Sequence, residues 1–173
     1  ADFNTFLSDH ASAEKKASGM ALSMASHYPD RPDILIAMTD LAIEELAHYK
    51  QVINLILKRG LTPQADRKDT YVAELNRKAR KGRDEFLLDR LLIAALIERR
   101  GAERFKLIAL HLKDAQLANF YRNLAKSEAR HWVLFVNLAA GNYPENQIVS
   151  RFNELSEIEN DILSRLPISA RLH

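Results

Sequence analysis

The stretch Ser127-Glu128-Ala129-Arg130-His131 places a glutamate and a histidine on one face of a long helical pattern. That face is otherwise apolar, so the carboxylate and the imidazole are costly to bury unless something pairs them. The same spacing recurs on an apolar face at Glu45-Leu46-Ala47-His48. A further glutamate precedes each motif, Glu98 by 30 residues and Glu14 by 31. The chain therefore carries Glu followed by Glu-x-x-His twice over.

Helical geometry places these side chains at matching heights. Glu14 lies 13 residues before the predicted end of its helix, and Glu45 lies 12 residues after the start of the next. At about 1.5 Å rise per residue, both are roughly 18–20 Å from the same turn. Glu98 and Glu128 stand in the same relation to a second turn.

Four glutamates and two histidines that face inward from four helices are the ligand set of carboxylate-bridged diiron bundles. Oxygen ligands with two imidazoles suit iron or manganese, and two Fe(II) ions together can reduce O₂. The sequence thus predicts a two-metal site for oxygen activation, with no catalytic residue beyond it. The predicted ligands are Glu14, Glu45, His48, Glu98, Glu128 and His131.

The composition predicts an all-α fold in one domain over residues 1–173, since the chain has only five glycines and five prolines. We expect a ferritin-like four-helix bundle with a long crossover between its second and third helices and an additional C-terminal helix. The predicted helices are about 3–27, 33–59, 84–112, 115–139 and 145–165, with a basic crossover at 60–83.

Local signals predict where several helices begin and end. Asp33 and Asp84 are expected to cap the N-termini of the second and third helices, and Gly60 is expected to end the second. A short helix is expected within 69–80 of the crossover.

Cysteine is absent, which excludes disulfides and iron–sulfur clusters within these residues. Electrons for an oxygenase are therefore expected from an external donor, a reductase or a ferredoxin. No apolar run approaches the ~20 residues of a membrane span, and no signal-peptide pattern is present, so we expect a cytoplasmic protein without membrane contact. A monomer or a small homo-oligomer is expected.

Positive charge is concentrated in one segment of the chain. Residues 58–83 hold nine basic and three acidic side chains, a net +6, so the remainder of this +2 chain is −4. Such a segment is either an ordinary solvated face or a surface for phosphate contacts. The candidate tRNA contacts are Lys15, Lys16, Arg67, Lys68, Arg77, Lys78, Arg80, Lys81, Arg83, Arg99, Arg100 and Arg104.

Three neighbours of the predicted ligands allow two readings each. Glu103 is a rival to Glu98, but its face is basic, so a surface ion pair is the better interpretation. His10 lies one turn before Glu14 and is either a partner of that carboxylate or a core histidine. Gly101 costs about 1 kcal/mol against alanine in mid-helix, so close packing or room for a ligand is expected to offset it.

Four stretches resemble a known family. They are Leu7-Ser8-Asp9-His10-Ala11-Ser12-Ala13-Glu14-Lys15-Lys16-Ala17, Glu44-Glu45-Leu46-Ala47-His48-Tyr49, Ala95-Leu96-Ile97-Glu98-Arg99-Arg100-Gly101-Ala102-Glu103-Arg104-Phe105 and the Ser127–His131 stretch. The chain resembles the tRNA 2-methylthio-N6-isopentenyladenosine hydroxylases, which are ferritin-like non-haem diiron monooxygenases. The likeness covers nearly the whole chain.

The resemblance implies that O₂ and two electrons hydroxylate the isopentenyl group of the modified adenosine beside the anticodon of tRNA. It assigns the metal-ligand role to the six residues already selected by spacing. One departure is that the family commonly has Asn-Cys where this chain has Ser12-Ala13. Neither position is a ligand, so the predicted metal site is unaffected.

Other functions remain open at this point. The two motifs also fit a rubrerythrin-like peroxidase, a hydroxylase of a small lipid or an iron-binding ferritin-like protein. A purely structural helical domain would carry the same helices without binding metal.

Overall fold

The computed structural model describes residues 3–167 and residue 172, and the regular secondary structure of those residues is entirely helical. The helices are α1 (Phe3–His27), α2 (Pro32–Lys58), α3 (Thr70–Asn76), α4 (Arg83–His111), α5 (Ala115–Asn142) and α6 (Glu145–Arg165). The predicted all-α class is confirmed. Within the described part of the chain, no helix combines the length and the apolar character that a bilayer crossing requires.

The described residues form two compact units. The first contains the residues up to Lys68 together with Leu172. Its helices α1 and α2 pack against each other as an antiparallel hairpin, since only residues 28–31 join them. The backbone N–H of Leu172 donates to Asp9 on α1 at 2.9 Å.

The ends of α2 correct one prediction and confirm another. Asp33 is not the N-cap, because the helix begins one residue earlier at Pro32, whose fixed φ suits the first helical position. Asp33 lies in the first turn, where its charge complements the helix dipole. Gly60 has φ +70° after the helix and donates to Leu57 O, while Leu61 donates to Ile56 O. This pair of bonds is the Schellman ending that favours glycine.

The second unit contains α3, α4, α5 and α6. Helices α4 and α5 form a second antiparallel hairpin across residues 112–114. Helix α6 packs against α3, α4 and α5, so α4 is covered on several sides. This explains why α4 buries the nearly continuous apolar run 91–96 rather than a single stripe.

Side-chain caps in the second unit differ partly from the prediction. The N-cap of α4 is Gly82, whereas Asp84 lies in the first turn, so Asp84 is not the cap. Asp114 caps α5 by accepting hydrogen bonds from the backbone of Gln116 and Leu117. Helix α5 ends at Asn142, three residues beyond its predicted end, because Pro144 and not Gly141 is the first residue that cannot continue it.

A buried carboxylate joins three segments of the second unit. Asp89 on α4 is fully enclosed and accepts from Arg151 on α6 at 2.9 and 2.7 Å. It also accepts from the side chain and backbone of Arg80, which lies between α3 and α4. The last residues of the crossover are thereby fixed against α4 and α6.

Candidate metal centre

The first unit brings three predicted ligands together. Glu14 on α1 and Glu45 and His48 on α2 each present a ligand atom, and these atoms lie within 4.8 Å of one another. We call these residues the first triad. All three are buried, with 4%, 1% and 8% of their surface exposed. Spacing on two packed helices is sufficient to produce this cluster, because α1 and α2 meet along the faces that carry these residues.

The protonation of the first triad follows from its crowding. Burial raises the pKa of Glu14, but hydrogen bonds with His10 and His48 outweigh burial and hold the pKa well below its usual range. Burial lowers the pKa of His48, whereas hydrogen bonds with Glu14 and Glu45 raise it to about 10. The imidazolium of His48 lies 3.3 Å from Glu45 Oε2 and 3.7 Å from Glu14 Oε2. A cation therefore suits this position, and a metal ion would displace the proton.

His10 is a direct partner of the first triad. Its Nε2 lies 2.6 Å from Glu14 Oε1, and the histidine is fully buried. An ionised carboxylate can only accept, so Nε2 carries the proton and Glu14 is held in one orientation. Of the two readings of His10, the structure supports the partner of the carboxylate. Nearby, Ser18 Oγ donates to the backbone oxygen of Ala42 at 2.8 Å and ties α1 to α2.

The second unit brings the other three predicted ligands together. Glu98 on α4 and Glu128 and His131 on α5 present ligand atoms within 4.8 Å of one another, and we call them the second triad. They are 4%, 7% and 2% exposed. His131 Nδ1 lies 3.6 Å from Glu98 Oε2. The predicted rival Glu103 is exposed and outside this triad.

Gly101 shapes the second triad. This glycine is buried on α4, and a Cβ built on it would lie 3.3 Å from Glu128 Oε2. That distance is tighter than ordinary contact, so any larger residue would push the carboxylate away. Of the two readings of Gly101, the structure therefore supports close approach of a side chain that the sequence had already marked as a ligand.

The donor set of both triads fits a metal. Each combines two carboxylates with one imidazole in a buried position, and converging carboxylates repel unless a cation lies between them. Oxygen donors with one imidazole per ion are typical ligands of iron or manganese. In each unit the geometry thus supports a half-site, while the sharing of one two-metal centre by all six residues stays a prediction.

The predicted phosphate contacts of the first unit are partly engaged. Lys15 forms an ion pair with Asp66 at 2.8 Å, and Lys16 donates to the backbone oxygen of Arg67 at 2.6 Å. Arg67 itself reaches Gln64. Lys68 is exposed. These contacts are on the protein surface, where ion pairs contribute little and exchange easily with phosphate.

The predicted phosphate contacts of the second unit fall into two groups. Arg77, Lys78, Lys81 and Arg83 are exposed, whereas Arg80 is bound to Asp89. Arg99 lies 3.3 Å from Glu159 on α6, and the guanidinium of Arg100 lies over the ring of Tyr71. Arg104 is half-buried, and burial lowers its pKa.

Sequence reasoning missed two features of the second unit. One is a buried chain in which Tyr71 donates to Glu159 at 2.7 Å and Glu159 faces Arg99. The other is a basic groove on α4 and α5, whose cations Lys106, Arg122 and Lys126 were not among the predicted contacts. The i, i+4 spacing of Arg122 and Lys126 was the available signal, but scattered basic residues are also typical of any solvated helix.

Comparison with known proteins identifies what the chain is similar to. The model of one family, described as tRNA-(MS[2]IO[6]A)-hydroxylase (MiaE), matches residues 1–173. A tRNA 2-(methylsulfanyl)-N(6)-isopentenyladenosine(37) hydroxylase of Pseudomonas putida is 39% identical over 90% of this chain and 75% of its own length. The Salmonella typhimurium protein of the same name is 29% identical over 95% of this chain, which spans only 60% of that relative.

A solved structure shows the fold. A Synechococcus protein described as having aldehyde deformylating oxygenase activity has a TM-score of 0.94 and 39% identity. The match covers 100% of this chain and 88% of the other. The predicted ferritin-like fold is confirmed.

Proposed function

Because the chain belongs to the MiaE family of tRNA hydroxylases, we propose that it hydroxylates the isopentenyl group of 2-(methylsulfanyl)-N6-isopentenyladenosine in tRNA. The reaction adds one atom of O₂ to that side chain and needs two electrons. The observation that carries the proposal is the pair of buried Glu-Glu-His triads in a chain that matches this family along its whole length.

We propose that the six triad residues together hold two iron ions. Iron when bound would supply the electrons that reduce O₂. The chain's own residues hold and orient the ligands: His10 keeps Glu14 ionised and in one orientation, and Gly101 leaves room for Glu128. Burial of all six side chains excludes bulk water, which strengthens their interaction with a cation.

We also propose the partners that this chemistry requires. The sequence contains no cysteine, so a separate reductase or ferredoxin is expected to deliver the electrons. The substrate is tRNA, and the protein is expected to act in the cytoplasm as a monomer or a small homo-oligomer.

The first test is metal content. Native protein expressed with iron is expected to hold close to two irons per chain, and Glu98→Ala or Glu128→Ala is expected to lose iron because each removes a ligand. Glu103→Ala is the matched control, since Glu103 is an exposed glutamate on the same helix as Glu98. A folded native protein without iron would refute the proposal.

The second test is the product. Iron-loaded protein, O₂ and a chemical reductant are incubated with tRNA that carries the isopentenyl modification, and the digested nucleosides are analysed by mass spectrometry. One added oxygen in the modified adenosine is expected, and none with Glu98→Ala. An iron-loaded protein that leaves this nucleoside unchanged would retain the metal assignment but not the substrate.

A second candidate activity comes from the structural comparison. The Synechococcus protein is described by its aldehyde deformylating oxygenase activity and is as similar in sequence as the Pseudomonas hydroxylase. A long-chain aldehyde supplied to the same iron-loaded protein tests this candidate. A hydrocarbon shorter by one carbon would support it, whereas unchanged aldehyde beside hydroxylated tRNA would exclude it.

A further inference from the structure

An open groove runs between α4 and α5 on a side that the triad does not use. Its volume is about 600 Å³. Small and apolar side chains form its floor: Ala102, Ala109, Leu110, Ala125 and Ala129. Trp132 forms one wall, and charged residues form the rim: Arg99, Glu103, Lys106, Arg122 and Lys126. We call this feature the α4–α5 groove.

The rim of the groove is strongly positive. It carries four cations and one carboxylate. Arg99 is held by Glu159, but Lys106, Arg122 and Lys126 are exposed. Such cations attract phosphate and release counterions when they bind it. The floor beneath them is apolar, so the groove suits a ligand that combines an apolar face with negative charges at its edge.

Trp132 provides a flat surface for stacking. It is the single tryptophan of the sequence, and it is half-buried at the side of the groove. Exposed aromatic rings beside cations are typical of proteins that bind single-stranded nucleic acid, because any base can stack on the ring while phosphates contact the cations. The alanines leave the space beside the ring unfilled, as a stacked base requires.

The groove lies on the same two helical stretches as the second triad. Ala129 and Trp132 directly follow Glu128 and His131 on α5, and Ala102 lies one turn after Glu98 on α4. At about 100° per residue, Ala129 is rotated by roughly a quarter turn from Glu128. A ligand in the groove is therefore one helix face away from the proposed metal ligands.

We propose that the α4–α5 groove binds a single-stranded segment of the RNA substrate, with one base stacked on Trp132 and the phosphates at Lys106, Arg122 and Lys126. This inference rests on the proposed function and assigns its RNA contacts to a surface outside the basic crossover. The rim favours an anion with several charges over a neutral ligand, and the flat wall favours a base over a branched apolar group.

Tryptophan fluorescence tests the stacking directly, since emission from this chain reports on Trp132 alone. A short stem-loop RNA with an unpaired loop is titrated into the full-length protein. The loop RNA is expected to quench the emission, whereas a fully paired duplex of the same composition is not. Trp132→Leu is expected to weaken binding roughly tenfold, measured by anisotropy of labelled RNA, because the stacked base loses its partner.

Charge reversal tests the rim independently of the tryptophan. Arg122→Glu with Lys126→Glu is expected to weaken binding by roughly tenfold or more and to lower the salt dependence by about two phosphate contacts. The matched control is Lys78→Glu with Lys81→Glu, the same charge change on exposed crossover residues outside the groove. Circular dichroism of each variant verifies that it is folded.

The outcomes separate this inference from the proposed function. Hydroxylated tRNA nucleoside, together with RNA binding that neither quenches Trp132 nor responds more to the groove variant than to the control, would overturn the groove alone. Quenching by oleate but not by RNA would overturn it as well, since the groove would then hold an apolar anion. Native protein that neither binds RNA nor modifies it would refute both.

Discussion

Helix α4 buries two kinds of carboxylate, and they are held in opposite ways. Asp89 is fully enclosed between two arginines, Arg80 and Arg151. Two and a half turns later, Glu98 meets a second carboxylate, Glu128, and an imidazole. The protein supplies permanent positive charges for the first carboxylate, whereas the second triad gathers metal-binding groups. The type of partner thus separates a structural buried acid from a candidate functional one.

The largest expected effect is on the Asp89 cluster. Asp89→Asn leaves Arg151 buried without its carboxylate and weakens the tie to Arg80, so we expect a loss of about 3 kcal/mol in the free energy of unfolding. The loss should be equal in iron-loaded and chelator-treated protein, because no proposed ligand is touched. Urea unfolding measures it. Stability unchanged by the substitution would contradict the role of this cluster.

The same cluster predicts how stability depends on pH. Burial raises the pKa of Asp89, but hydrogen bonds from Arg151 and Arg80 outweigh burial and hold it below its ordinary value of 3.8. The unfolded chain therefore binds the proton first as the pH falls. The contribution of Asp89 is fully present above about pH 4 and is lost as the pH falls through the folded pKa.

Unfolding of chelator-treated native and Asp89→Asn protein at a series of pH values measures this dependence. The difference between the two proteins should be constant near neutrality and shrink in acid. A difference that stays constant down to the acid transition would exclude Asp89 as the titrating group.

The same chemical change in the second triad is expected to act in the opposite direction. Glu128→Gln keeps the shape of the side chain but removes a buried charge that repels Glu98, so chelator-treated protein should melt at the same or a higher temperature. Iron binding should fall, because an amide is a poor ligand. Differential scanning calorimetry with and without iron separates the two effects. A large loss of stability without metal would make Glu128 a structural residue like Asp89.

The smallest expected effect concerns Gly101. Gly101→Ala should favour the helix by up to about 1 kcal/mol, while its Cβ, 3.3 Å from Glu128 Oε2, displaces that carboxylate. We expect a slightly raised melting temperature and iron binding weakened severalfold in a chelator competition.

Gly19→Ala is the matched control for that change. Gly19 lies within α1, and a Cβ built on it meets nothing within 4 Å. It should raise stability similarly and leave iron binding unchanged. Equal iron binding in both variants would show that Gly101 does not position Glu128.

Much of the candidate site was predictable because it depends on local geometry. The Glu-x-x-His motifs lie on single helices, and the spacing of Glu14 from Glu45 follows from helix rise across one short turn. The exact helix starts were less predictable, as Asp33 and Asp84 show, because either an acidic residue in the first turn or a cap produces the same sequence signal.

The amino-acid sequence by itself determined the all-α class, the two hairpins and the faces that carry the triads, since helical periodicity is a property of neighbouring residues. Only the tertiary structure decided which cations neutralise Asp89 and which acid receives Tyr71, whose partner Glu159 lies 88 positions away. It also decided that Lys106, Arg122 and Trp132 border one groove. The physical reason is that these relations depend on how separate helices pack, and the periodicity of one helix carries no record of its neighbours.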